Sequence, residues 1–312
     1  MKIILISIHY PPIITSCAEQ VKDIAVELKK QGHTPIVITP NPDAKNFFNK
    51  KVVDGIKVIT IRGLKTKGNY NLFIRAINEF VTPFLMICAL LINRYNFKNV
   101  NGIIWYSPTI FFSPLIYVIK KISKAKAYLI LRDHFPEDLV NIGVMKNKLI
   151  VLLFKFFNKF QFNIADKIGV QSKNSKYYLN KYKIRKNKIE ILYNWASDEF
   201  NSSFKLIDDI INNKKVLLFL GSMSPLQKNL LIYKIINYYK CSEQIVIIFV
   251  GTGSELKKID HFIRINNIKN VIIYNPIKPN FVKNLCQKCS AGLILLNKKH
   301  DSHNIPGKFV SY

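Results

Sequence analysis

The sequence predicts an α/β protein made of two successive doubly wound, Rossmann-like units. Three observations carry this. Apolar runs of strand length alternate with longer stretches of helical periodicity, the pattern of parallel sheets joined by crossover helices. The alternation stops once, at a polar and charged stretch around residues 196–215, and then restarts. Strand-ending glycines, Gly221 and then Gly251-Thr252-Gly253-Ser254, follow apolar runs in the second half. The expected division is a first domain over residues 1–196, a linker over 197–214 and a second domain over 215–312.

In chain order, residues 2–8 read as a buried strand, 17–31 as an amphipathic helix stopped at Gly32, and 34–39 as a strand. Residues 52–61 are broken by Asp54-Gly55, a hairpin signal. A long helix over 71–93 contains Pro83 and should bend there. Strands follow at 102–106, 127–131, 166–170 and 189–192. Helices are expected at 111–121, 148–162 and 172–181, the last capped by Ser172 or Asn174, with 132–141 as a loop. The second half reads as strands at 215–220, 244–250, 271–274 and 292–296, with helices at 226–239, 255–266 and 280–288.

The composition is globular, with 49% hydrophobic and 21% charged residues. A formal net charge of +28, from 47 basic and 19 acidic residues, favours anionic partners. A Lys-rich compositional background accounts for part of that excess. No recognised nucleic-acid-binding motif accompanies it, so nucleic acid is not an expected partner. The five cysteines are scattered and make no disulfide framework. Cys286-Gln287-Lys288-Cys289 is a lone CxxC without a second pair, and no metal site is expected. The run 80–92 is about 13 residues long, short of the roughly 20 that span a bilayer. The expectation is a cytoplasmic protein that touches a membrane without crossing it. Residues 80–92, 111–118 and 149–162 read as core helices. The alternative is a basic, apolar surface resting on anionic lipid, with Lys155 and Lys159 interleaved among aromatics.

Ligands of such sheets bind beyond the carboxyl ends of the strands. Gly251-Thr252-Gly253-Ser254 opens a helix after a strand, but Leu256 stands where a dinucleotide fingerprint needs its third glycine. It reads as a turn that brings phosphate or sugar to backbone N–H groups, with a purely structural turn as the competing reading. Lys228 could reach a diphosphate from the loop after Gly221. Asp133, His134 and Glu137, just past an apolar strand, are candidates for acid/base or positioning work, and a local Arg132–Asp133 pair is the alternative. Ser16 and Gln20 sit at the start of the first helix, where capping alone explains Ser16. Pro306-Gly307-Lys308 places a cation at an apparent helix start that favours anions.

Taken in order, these stretches resemble the family 4 glycosyltransferases of GT-B fold. The resemblance is carried by Gln31-Gly32-His33, Val170-Gln171-Ser172, Ile191-Leu192-Tyr193-Asn194-Trp195, Leu218-Phe219-Leu220-Gly221, Val250-Gly251-Thr252-Gly253-Ser254 and the strand ending at Tyr274. The motifs Pro11-Pro12-Ile13-Ile14-Thr15-Ser16, Arg132-Asp133 with Phe135-Pro136-Glu137, and His303-Asn304-Ile305-Pro306-Gly307-Lys308 are similar to a narrower group. That group builds bacterial surface polysaccharides and includes N-acetylfucosamine transferases. The resemblance implies a nucleotide-sugar donor, UDP-linked, and an undecaprenyl-diphosphate-linked glycan acceptor, with the protein peripheral at the anionic inner face of the plasma membrane. It also implies retention of anomeric configuration, with no metal and no other cofactor. It assigns Gly221, Lys228, Gly251, Gly253, Ser254, Tyr274, His303, Asn304, Pro306, Gly307 and Lys308 to the donor, and Ser16, Gln20 and Arg132 to the acceptor side. Three positions depart from the pattern. The Gly-Gly pair of the first loop is absent, Ser222 replaces a basic residue, and Ser311 replaces the glutamate that holds the donor ribose. Family members continue beyond this point, so the resemblance implies two domains facing a cleft with the second incomplete, and the alternative expectation is an inactive truncated homologue acting only as a basic membrane-associated binding protein.

Overall fold

A computed structural model describes residues 1–66, 72–107, 109–196, 214–223, 229–295 and 305–312. Two compact units divide after Tyr193. The expected linker falls almost wholly outside the described residues, so only its flanks can be placed.

The first unit is an eight-stranded sheet ordered β3-β4-β2-β1-β5-β6-β7-β8. Its strands are β1 (Lys2–Ile6), β2 (Thr34–Pro40), β3 (Phe48–Val53), β4 (Ile56–Ile61), β5 (Val100–Tyr106), β6 (Lys126–Leu131), β7 (Lys167–Val170) and β8 (Ile189–Ile191). All pairs are parallel except β3 with β4. The β3–β4 turn has positive φ at Asp54 (51°) and Gly55 (72°), as the Asp-Gly signal demands. The edge strand β3 was invisible over most of its length because its residues are largely exposed and lack alternation.

Helices α1 (Ser16–Lys30), α2 (Leu72–Ile92), α3 (Ser113–Ser123), α4 (Glu137–Asn141), α5 (Lys148–Ile164) and α6 (Ser175–Asn180) cover the sheet. Met86, Ala89 and Leu90 of α2, Leu115, Ile116 and Ile119 of α3, and Phe162 of α5 join Ile4, Ile6, Ile38 and Trp105 in one core. Two boundaries differ from expectation. The segment 132–141 is not all loop, because α4 occupies its second half. The helix expected at 172–181 starts at Ser175, because the Ser172 hydroxyl accepts the Ser175 N–H (3.2 Å) and holds the preceding turn. The apolar stretch of α2 is also longer than expected. Ile74–Ile92 spans 19 residues at a mean hydropathy of 1.6, enough by length and composition to cross a membrane.

The second unit is a parallel sheet ordered β11-β10-β9-β12. Its elements are β9 (Lys215–Leu220), α7 (Asn229–Tyr239), β10 (Ile245–Val250), α8 (Ser254–Ile265), β11 (Val271–Tyr274), α9 (Pro279–Gln287), β12 (Ala291–Gly292) and α10 (Gly307–Ser311). Strand β12 is shorter than the expected 292–296 for a physical reason. Its place beside the end of β9 is taken by Tyr312, whose hydroxyl donates to the Leu218 carbonyl (3.0 Å) and accepts the Leu220 N–H (2.9 Å). The ring also lies where a side chain on Gly292 would go. Tyr312→Phe leaves the Leu220 N–H without that partner. It should lower the unfolding free energy by about 1–3 kcal/mol, read by urea denaturation.

Candidate functional site

Each sheet has one place where the strand order reverses, and the carboxyl ends of the strands there form a crevice. In the first unit the reversal lies between β1 and β5. A cavity of about 270 Å³ opens there. It is lined by Ile8 and His9 after β1, Asn41 and Asp43 after β2, Lys65 after β4, and Thr109 after β5, with Glu79 and Thr82 of α2 as another wall. Several of these side chains are held in place. Thr82 Oγ1 donates to the Asn78 carbonyl (2.7 Å) and accepts the Leu64 N–H (3.3 Å). Glu79 pairs with Arg75 (2.9 Å) and Asp43 with Lys65 (3.5 Å), while His9 Nδ1 lies 3.5 Å from the Thr15 hydroxyl. This wall of hydroxyl, amide, imidazole and carboxylate groups suits a polyhydroxylated ligand. The sequence reading missed it. The available signal was that His9 and Asn41 each follow an apolar strand within a few residues, but the strand order that makes them neighbours is not local.

The residues singled out in the first unit lie elsewhere. Thr15 caps α1, its hydroxyl accepting the Ala18 N–H (3.2 Å), and Ser16 is an exposed first-turn residue rather than the cap. Gln20 does not face a cleft. It is 3% exposed and accepts a 2.7 Å hydrogen bond from the Tyr106 hydroxyl. Arg132 is buried too, donating to the Leu192 carbonyl (3.0 Å) with its guanidinium 6.0 Å from the Tyr106 ring centre. His134 is buried, stacked on Tyr178 at 4.1 Å. Glu137 accepts from the Tyr182 hydroxyl (2.8 Å) and the Tyr178 hydroxyl (3.1 Å), and the Asn158 amide bonds both tyrosines. Of the three residues expected to do acid/base work, only Asp133 is exposed. Glu137 and His134 tie α4 to α5 and α6. Burial, then the Glu137 charge, raises the Tyr182 phenol far above its usual value, so it stays a donor at any physiological pH. Glu137→Ala strips the acceptor from the Tyr182 hydroxyl and leaves the Tyr178 hydroxyl only the Phe135 carbonyl (3.1 Å). It should cost on the order of 3 kcal/mol in thermal or urea unfolding, whereas Asp133→Ala should cost under about 1 kcal/mol.

In the second unit the reversal lies between β9 and β12. Two loops zip together beside it. Gly221 N–H bonds to the Val250 carbonyl (2.8 Å), Met223 N–H to Thr252 (2.7 Å) and Gly251 N–H to Tyr274 (3.1 Å). A Cβ on Gly251 would meet the Gly221 carbonyl oxygen, and one on Gly253 the Met223 carbonyl oxygen. With φ of 154° and 138°, both positions also favour glycine. The glycines are therefore explained by loop-on-loop packing. Ser254 opens α8, and the first turn of that helix already carries the buried carboxylate of Glu255, 3.0 Å from Lys258. Tyr274 ends β11, at the far edge from the reversal. Pro306 precedes α10, and Gly307, exposed, starts it. Lys228, His303 and Asn304 lie outside the described residues. Gly253→Ala should destabilise by about 2 kcal/mol or more, read as a lower urea midpoint with native-like circular dichroism before unfolding.

Among the described residues, Lys308 brings a charged group to this reversal. Its Nζ sits 3.6 Å from the centre of the Phe219 ring and has no hydrogen-bond partner among the described residues. Burial pulls its ammonium down to about 8. Among the described residues no three His, Cys, Asp or Glu side chains come together as a metal site.

No protein family's sequence profile matches the chain, and no curated protein sequence matches it. Solved structures do. HepE (Alr3699) of Anabaena, in complex with UDP and glucose, superposes with a TM-score of 0.62 at 15% identity, over 94% of this chain and 73% of that one. The catalytic domain of starch synthase IV from Arabidopsis thaliana, bound to ADP and acarbose, gives 0.57 at 10% identity, over 88% and 74%. WaaG, a glycosyltransferase involved in lipopolysaccharide biosynthesis, gives 0.56 at 12% identity, over 90% and 72%. The fold is thus that of the two-domain, Rossmann-like GT-B glycosyltransferases.

Proposed function

We propose that the chain is a glycosyltransferase that moves a sugar from a UDP-linked donor to a lipid-linked glycan in bacterial surface-polysaccharide synthesis. The donor occupies the β9/β12 crevice and the acceptor glycan the cavity at the β1/β5 crevice. The observation that carries this reading is Lys308: a buried ammonium with no hydrogen-bond partner among the described residues, at the strand reversal of the second sheet. A cation so placed gains a counter-charge when a diphosphate binds. It then stabilises the charge that grows as the anomeric C–O bond to the diphosphate breaks and the acceptor hydroxyl, giving its proton to the departing diphosphate oxygen, bonds to the same carbon. The UDP and ADP held by structures of the same fold support a nucleoside diphosphate as leaving group. The family resemblance supports retention of configuration without a metal, and action at the cytoplasmic membrane face.

The sign of the pH effect follows from Lys308. With its folded value near 8 against the usual 10.5, the cation is present below pH 8 and is lost above it. UDP affinity by calorimetry should therefore fall as pH rises through 8, by about tenfold at one pH unit above. Lys308→Ala should lower the affinity at pH 7 and abolish the pH dependence. UDP binding that is flat from pH 7 to 9 and indifferent to the substitution would remove Lys308 from the donor site. Transfer or hydrolysis of UDP-sugars by the purified chain tests the reaction itself.

A further inference from the structure

We propose that the outer face of α2 and α5 docks on an anionic lipid bilayer, with the first unit lying on the membrane surface. This rests on side chains of the first unit alone, not on the transferase reading. Helix α2 has two apolar faces. The inner one, Met86, Ala89 and Leu90, is at most 1% exposed and belongs to the core. The outer one carries Ile77, Phe80, Phe84, Leu91 and Ile92, spaced by three, four or seven residues and by one at the end, each 37–72% exposed. A stripe over this helix is about 25 Å long. Its described charged residues, Arg75 and Glu79, neutralise each other.

Helix α5 extends the same surface. Leu149, Leu152, Leu153 and Phe156 are 49–78% exposed on one side of it. The two faces join through rings, Phe80 against Phe157 (5.7 Å) and Phe157 against Phe156 (5.6 Å). Lys148, Lys155 and Lys159 are exposed at spacings of seven and four, so they form a line beside the α5 leucines. No acidic residue occurs in α5. The carboxylate near this line is Glu137, 4.0 Å from Lys155 and already held by two tyrosines. Apolar side chains flanked by a line of cations match the acyl–headgroup boundary of an anionic leaflet.

Two other occupants fit less well. The apolar stretch of α2 is long enough to span a bilayer, but its inner face is part of the sheet's core and cannot leave it. In a two-fold dimer the same patch meets itself, which brings the lysine line against its own copy.

The test is sedimentation of the full chain with phosphatidylglycerol-containing and pure phosphatidylcholine vesicles, without nucleotide, at low and high salt. Binding to the anionic vesicles is expected, with a part surviving high salt because it is apolar. Phe84→Glu with Leu152→Glu should weaken it on the order of tenfold at both salt levels. Lys148→Glu with Lys159→Glu, exposed positions that spare the core, should erase the preference for anionic vesicles. Circular dichroism checks that both variants fold. The proposal is overturned if the unaltered chain ignores anionic vesicles, or if neither variant changes binding. It is also overturned if light scattering shows a dimer that the apolar variant dissolves while vesicles are not bound. Since no nucleotide is used, failure to bind UDP leaves this result untouched.

Discussion

Parallel strands covered by helices on both faces have no room for polar side chains along their length. In β1, Ile4, Leu5 and Ile6 are at most 1% exposed, and in β9 and β10 the pattern repeats with Val216, Leu218, Ile247 and Ile248. Everything chemically useful is therefore displaced to the loops at the strand ends. Which ends become neighbours depends on the order of the strands. The reversals at β1/β5 and β9/β12 are where folds of this kind place their ligands, and a cavity opens at the first of them. His9, Asn41 and Thr109 come together at one of them although they are far apart in sequence, because β2, β1 and β5 are adjacent.

That dependence separates what was legible in the sequence from what was not. Strands β9 and β11 match their expected limits because each is an apolar run closed by a glycine or a polar turn. The hairpin at Asp54-Gly55 was legible because positive φ at two consecutive residues restricts the residue types that can sit there. The burial of the candidate acceptor-side and catalytic residues was not. Gln20, Arg132 and His134 are polar residues near strand or helix ends, and residue type alone cannot distinguish a polar side chain facing a ligand from one satisfied inside the core. Their partners, Tyr106, the Leu192 carbonyl and Tyr178, lie some 40 to 90 residues away, so burial is decided by contacts that no local pattern encodes. The glycines of residues 251–253 are a milder case. Their need for glycine was legible, but its cause, the carbonyls of Gly221 and Met223, belongs to a different loop.

The outer face of α2 and α5 shows the same limit in the opposite direction. The sequence marked these segments as apolar, aromatic and basic, and core helices were the default. The structure divides each helix between the two alternatives, since Met86 and Phe162 are core while Phe84 and Phe156 face outward. Periodicity alone gives a helix that is apolar nearly all round no preferred side. The sheet supplies the side by claiming one face.

In the second unit, Tyr312 and Lys308 are coupled. The Tyr312 hydroxyl bridges two backbone groups of β9, and its own N–H closes back on the Lys308 carbonyl at 3.0 Å. The five-residue α10 is thus anchored through Tyr312, the residue that follows it, to the strand that carries Phe219, and the lysine is held over that ring as a consequence. Placing an ammonium there costs solvation, which is why its pKa falls. The ring quadrupole returns part of that cost, and an anion bound at the crevice returns more. An arrangement in which one residue fixes the strand edge and its neighbour one turn earlier presents a partly desolvated cation has little to gain in stability. Under the proposed function, its gain comes when a diphosphate supplies the missing charge.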